Sequence, residues 1–421
     1  MRDVLLVAYK AFADVAGKGS LFVITIVAAR RLGPRAFGIF SLASTLGWIL
    51  AVVTDFGIQM HLARAVARRP AEAGLILGTW LRVRLWTAGG AIVLVAAGLA
   101  AFGPSRASAA AIVLFTLIYV FGALIELLHY FYRGLGRTDV ESSLTLWQRS
   151  ATLGCALLAL AWRPDLNVLG VAMLLPVLAT FAVSLRIAAR LARSTTSALT
   201  AALPSRERLW VEFRRDVLPI GAGIVLSALY FRIDLFLVQL WRGTEAVADY
   251  NAVFRLVEAL RLFPAAVLAV GLPSLCRAQD VRPLARVSLA VTAFAGIATL
   301  VLWTTAGWTI PLLYGAPFAA AVPAFRVLVL SFPLLSLNYA LTHQLIGWDR
   351  QRAYAALCGV ALVVNVALNT RLIPALSIDG AAWATLWTEV FLTAGCVLVL
   401  WAGGAQRAPD GGDRRLMSAD W

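Results

Sequence analysis

About twelve apolar stretches of roughly 20 residues, separated by short polar turns, dominate this sequence. A run of that length crosses a bilayer as a helix, so spans are expected near 5–29, 37–60, 85–103, 109–132, 144–162, 167–189, 217–240, 248–273, 287–311, 321–346, 355–373 and 380–402. The 421 residues are 61% hydrophobic and 14% charged, which excludes an ordinary soluble globule. The chain reads as an all-α integral membrane protein.

The net charge of +15 could suggest a nucleic-acid partner. The arginines, however, fall mainly in short segments between apolar runs, and no polar domain exists to hold a duplex or stack bases. Nucleic acid is therefore not expected. Most of the 37 Lys and Arg residues lie on the side where the chain begins, so both termini are expected in the cytoplasm. The heaviest clusters there are Arg64, Arg68, Arg69, Arg82 and Arg84, then Arg186 through Arg215; their plain reading is topology and contact with anionic membrane lipids. Although Val27, Ala28 and Ala29 could pass for a cleavage site, the repeat described next requires the first run, which is read as a retained span. Cys155, Cys276, Cys358 and Cys396 have no metal or redox spacing and read as small hydrophobes.

The longest polar interruption, 190–216, divides the chain into two halves of six spans. Gly33, Gly136 and Gly170 recur as Gly243, Gly347 and Gly380, each about 210 residues later and at matching places. Six spans return the chain to its starting side. The halves then share one orientation and are related by a pseudo-two-fold along the membrane normal, an architecture that places a substrate between two rocking lobes. The expected division is a six-helix lobe over 1–195, a cytoplasmic linker over 196–216, a second lobe over 217–402 and a polar, disordered tail over 403–421.

Charges inside apolar runs cost a few kcal/mol or more and need a partner, a wet cavity or a function. Arg255, Glu258 and Arg261 lie at i, i+3 and i+6 on one face of the eighth span. They either attract an anionic headgroup or form a structural ion-pair ladder. Arg232 and Asp234 point to roughly opposite sides of the seventh span and cannot simply satisfy each other. Asp14 and Lys18 have the i, i+4 spacing of a self-contained pair. Glu126 and His129, with Arg149 near their level, read as a proton-linked pair or a structural cluster. Asp55 is a candidate for a coupling cation, though one carboxylate is little for sodium. Asn365 and Asn369 read as interhelical hydrogen-bond donors.

Asp234, Gly243, Tyr250, Asn251, Arg255 and Pro264 at these intervals resemble the middle of the polysaccharide transporter family, the O-antigen and oligosaccharide-lipid flippases. RRLGPRAFG (30–38) is similar to that family's first external turn, and NVALNTRLIPALSIDGAAWATLWTE (365–389) to its eleventh-to-twelfth span signature, although Ser377 and Asp379 depart from it. The resemblance implies a fold like that of the multidrug and toxin extruders. It also implies a bacterial inner-membrane flippase for an undecaprenyl-diphosphate-linked oligosaccharide, working beside a polysaccharide polymerase and glycosyltransferases. By the same resemblance Lys18 is expected to contact substrate phosphate. On this reading Lys18, Arg149, Arg232, Arg255 and Arg261 bind substrate, and Asp55, Glu126, His129, Asp234 and Glu258 couple or pair.

No P-loop, metal-ligand spacing or activated nucleophile is present, so neither an ATP-driven pump, a cofactor nor an enzyme is expected. Two other readings stay open: a cation-coupled small-solute antiporter of the same fold, and a membrane glycosyltransferase or polymerase. An extruder of organic cations calls for an acidic cavity, and an external enzyme calls for longer external loops than these.

Overall fold

The computed structural model describes residues 2–195, 210–211, 213–264, 267, 282–348 and 350–402. Most of the expected linker, Cys276, the end of the eighth span and the tail from 403 lie outside the described residues, as does the side chain of Asp14. Among those described there is no strand. The helices are α1 (Arg2–Asp55), α2 (Ile58–Arg68), α3 (Ala73–Phe102), α4 (Arg106–Gly134), α5 (Thr138–Trp162) and α6 (Leu166–Thr195) in the first half. The second half has α7 (Leu218–Leu260), α8 (Arg282–Tyr314), α9 (Val322–Leu330), α10 (Phe332–Gly347), α11 (Gln351–Leu376) and α12 (Ile378–Ala402). Nine helical stretches among the described residues are long and apolar enough to cross a membrane.

Two of these helices are far too long for one passage. The 54 residues of α1 would extend about 80 Å as a straight helix. Gly33 interrupts it with φ 76°, ψ 166°, and Gly243 interrupts α7 with φ 81°, ψ −176°. Side chains rarely tolerate positive φ, so glycine at both places is a backbone requirement. The shared conformation is the clearest structural trace of the repeat. Gly136 also has positive φ, whereas its counterpart Gly347 simply ends α10, so the likeness of the halves is not carried through every turn.

Two expected boundaries are corrected. The second span stops at Asp55 rather than continuing to residue 60: Phe56 (φ 48°) and Gly57 (φ 79°) turn the chain into α2, an amphipathic helix that buries Ile58, Leu62, Ala65 and Val66. The third span begins at Ala73, not near residue 85, so Arg82 and Arg84 lie within α3. Arg84 is 1% exposed, and its place in a headgroup-facing cluster is therefore overturned.

The core divides along the bundle. At the end that carries Gly33 and Gly243, hereafter the turn end, one cluster joins both halves, with Phe37, Phe40 and Phe115 packed among Tyr250, Tyr314, Phe318 and Phe325. Toward the opposite end it gives way to two separate clusters. One surrounds Leu62, Trp80, Phe131 and Tyr132; the other surrounds Leu341, Leu345, Leu392 and Cys396. Cys358 and Cys396 are buried and Cys155 half-buried, as small apolar side chains would be.

Candidate functional site

The two arms of α7, before and after Gly243, run side by side, and Arg232 of the first meets Glu258 of the second, with Nη2 to Oε2 at 2.7 Å. The same carboxylate oxygen accepts Arg255 Nη1 at 2.8 Å. Arg232 is almost fully buried and lies 4.3 Å from the Phe254 ring centroid, while Arg261 lies 4.5 Å from that of Phe231. Such stacking suits guanidinium, which is planar and weakly hydrated. Three cations thus cluster around one carboxylate at bilayer depth. The other nitrogen of the Arg232 fork, Nη1, reaches Asn251 Oδ1 at 3.3 Å.

Asp234 faces away from this cluster, as its spacing from Arg232 predicted. It accepts hydrogen bonds from the Tyr250 hydroxyl and, at 2.8 Å, from the Leu235 backbone N–H. The Tyr250 hydroxyl also lies 3.2 Å from Thr385 Oγ1 on α12. Beyond Thr385 a cavity of about 10 Å³, room for roughly one water, is lined by Tyr230, Asn365, Thr388 and Glu389. Glu389 is 1% exposed and accepts Asn338 Nδ2 at 2.7 Å. Neither Asp234 nor Glu389 forms an ion pair among the described residues. Asn365 donates across to Thr388 Oγ1 on α12 at 3.2 Å, as an interhelical donor, whereas Asn369 donates within α11 to Asn365.

The first half supplies a second group of charges. Arg149 packs against Gly17, where a Cβ would sit 3.1 Å from Arg149 Cγ, and the adjacent Lys18 is exposed. Glu126 is also exposed, and its strongest electrostatic neighbours are Arg149 and Arg133, followed by Glu141 and Arg84. A charge facing lipid would be prohibitive, so exposure here means a water-accessible gap. Arg255 in the second half lies within the electrostatic reach of Tyr119. Tyr119 is seven residues from Glu126 on α4, hence on the same helix face and about 10 Å further along. The electrostatic reach of the second-half cluster thus extends to the helix that carries Glu126.

Glu126 is exposed and His129 buried, so three residues of spacing leave them in different environments. Asp55 accepts the Gly57 N–H at 3.1 Å and the Gln59 N–H at 3.4 Å, capping α2, and lies 3.7 Å from Arg84 Nε. This geometry gives Asp55 a structural position. The expected self-contained pairing of Asp14 with Lys18 lies outside the described residues. Sequence reasoning passed over Glu389, Asn338 and Ser41. Glu389 had a usable signal, since it is the only charge within the apolar run 380–402.

This is the fold of a multi-pass membrane protein. One similar solved structure is an inward-facing multidrug resistance MATE family transporter of the MOP superfamily: TM-score 0.71, 14% identity, covering 92% of this chain and 93% of that one. An outward-facing conformation of such a transporter gives 0.68 at 15% identity over 93% and 94%. A MOP superfamily transporter from Pyrococcus furiosus, described by a reversed polarity of its binding pocket that suggests a different function, gives 0.66 at 16% identity over 94% of each chain. No curated protein shows significant sequence similarity. The polysaccharide biosynthesis protein family matches residues 7–279, well over half of the sequence, and the chain belongs to that family.

Proposed function

We propose that this protein is an inner-membrane flippase that moves an undecaprenyl-diphosphate-linked oligosaccharide from the cytoplasmic to the outer leaflet. The nine candidate helices become twelve passages when α1 and α7 are each counted as two and α5 is included; the lobes are 1–195 and 217–402, with both termini cytoplasmic. The observation that carries this reading is the cluster of Arg232, Arg255 and Arg261 around the single carboxylate of Glu258. Uncompensated positive charge at this depth calls for an anion, and a diphosphate matches the guanidinium fork. Lys18 and Arg149 border the same gap from the other lobe. The sugars would occupy the wet gap while the lipid tail stays in the bilayer. The shared core at the turn end and the split core opposite it support a state sealed toward the outside.

No bond is made or broken, so the drive must come from a gradient or from product consumption. Asp234 and Glu389 are the buried carboxylates whose protonation, or binding of a monovalent cation, would couple to it. The antiporter reading draws on the fold and on these two residues, but the basic cluster speaks against a cationic solute.

The test is the amount and sidedness of lipid-linked oligosaccharide in cells that lack this protein. Accumulation on the cytoplasmic leaflet, rescued by the wild type but not by Arg255→Ala, is expected. Unchanged sidedness with normal surface polysaccharide, in a strain with no second flippase, would overturn the proposal.

A further inference from the structure

Ser41 and Asn251 each lie eight residues beyond the glycine that breaks their helix, Gly33 and Gly243. They are equivalent positions of the two halves, about 12 Å from the turn end by helical rise. In the structure they meet each other: Asn251 Nδ2 donates to Ser41 Oγ at 2.8 Å, with Asn251 and Ser41 both fully buried. The Ser41 hydroxyl itself donates to Phe37 O at 2.7 Å, so its lone pair is what remains for Asn251. The other end of the same amide, Oδ1, accepts Arg232. A continuous buried chain therefore runs from Ser41 through Asn251 and Arg232 to Glu258 and Arg255. One end of it lies in the interface that seals the turn end. The other is the charge cluster beside the gap.

We propose that Asn251 is a positioning residue that couples anion occupancy of the Arg232–Arg255 cluster to release of the seal at the turn end. The inference rests on the substrate being an anion carried between the halves, as above. Arg232 has a single planar fork, with one arm on Glu258 and the other on Asn251. A diphosphate entering from the gap competes with Glu258 for both guanidiniums, and the Arg232 fork must turn to meet it. That turn withdraws the donor that holds Asn251 Oδ1. The amide is then free to rotate, and the bond to Ser41 across the interface loses its fixed geometry. Neighbouring contacts make the seal responsive to one lost bond. Gly38 lies so close to the Thr244 carbonyl that a Cβ would collide with it, which leaves no other side chain between the helices there.

The experiment measures the spacing of the two turns in the full-length protein in lipid nanodiscs. Spin labels replace the exposed Arg35 and Glu245 in a background with all four cysteines changed to alanine, and pulsed dipolar spectroscopy reads the distance with and without inorganic diphosphate, chloride being the ionic-strength control. The wild type should show one short distance alone and a longer population with diphosphate. Ser41→Ala should enlarge the longer population about fivefold without ligand, the worth of one neutral hydrogen bond. Asn251→Asp removes the donor and keeps the acceptor for Arg232, and should do the same. Combining the two changes should add little, because they break one bond. In Arg232→Gln the distance should no longer respond to diphosphate.

Wild-type distances in both Ser41→Ala and Asn251→Asp would overturn the relay. So would opening in these variants with a diphosphate response of full size, which would make the pair a passive strut. If diphosphate opens the wild type yet no lipid-linked oligosaccharide is moved in cells, the flippase reading fails and the relay stands.

Discussion

Glu258→Gln tests the charge arithmetic of the site. The substitution keeps shape and volume but removes the one carboxylate that pairs with Arg232 and Arg255 among the described residues. Removing one partner of a fully buried ion pair costs about 3–5 kcal/mol, because the remaining charge is left uncompensated. The Glu258 side chain is 32% exposed, so water screens part of that loss. An expectation of about 2 kcal/mol follows once the buried figure is discounted toward that of an accessible pair. The assay is thermal unfolding in detergent at a fixed scan rate, with and without inorganic diphosphate. The variant should melt several degrees below wild type without the anion. Because the competing carboxylate is gone, diphosphate should bind the variant more tightly and recover most of the deficit; a ligand at about 100 times its Kd contributes about 2.7 kcal/mol. A variant as stable as wild type and indifferent to diphosphate would refute the reasoning, since the three guanidiniums would then be satisfied without Glu258.

Other expectations concern the frame around the site. Arg84 Nε and Nη1 are buried without a hydrogen bond and Asp55 keeps two backbone N–H donors when Arg84 is removed, so Arg84→Met should cost less than Asp55→Ala, which removes the cap of α2 and strands the Arg84 charge, at a cost of about 3–5 kcal/mol; paired chemical denaturation curves decide the order. Gly33→Ala and Gly243→Ala should each cost about 1–3 kcal/mol through a backbone conformation that only glycine adopts readily, since no atom stands within 4 Å of either added Cβ; unequal losses in thermal unfolding would show that one break bears more than backbone conformation. Gly38→Ala forces a methyl against the Thr244 carbonyl, an overpacking of about 1–3 kcal/mol that acts on the sealed state. Labelling of a cysteine substituted for buried Ala248 with an impermeant maleimide should then rise roughly tenfold, and unchanged labelling would exclude a seal at this contact.

The sequence by itself determined the membrane class, the places of the long apolar helices and the two glycine breaks. Apolar run length and the backbone freedom of glycine are local properties, legible at Gly33 and Gly243 without any neighbour. It also marked Arg232, Asp234, Arg255, Glu258 and Arg261 as charges in need of an explanation, because burial cost depends on the residue and its depth. Which partner answers each charge was decided only by tertiary structure. Arg232 reaches Glu258 and Asn251 through an angle between helices that no spacing along one helix encodes. Arg84 reads as a surface arginine until α3 is seen to start at Ala73 and carry it inward. Ser41 has no charge and no unusual neighbours in the chain. It becomes significant only because folding places it against Asn251, 210 residues away, where two equivalent positions meet in a dry interface and a single hydrogen bond has no water to replace it.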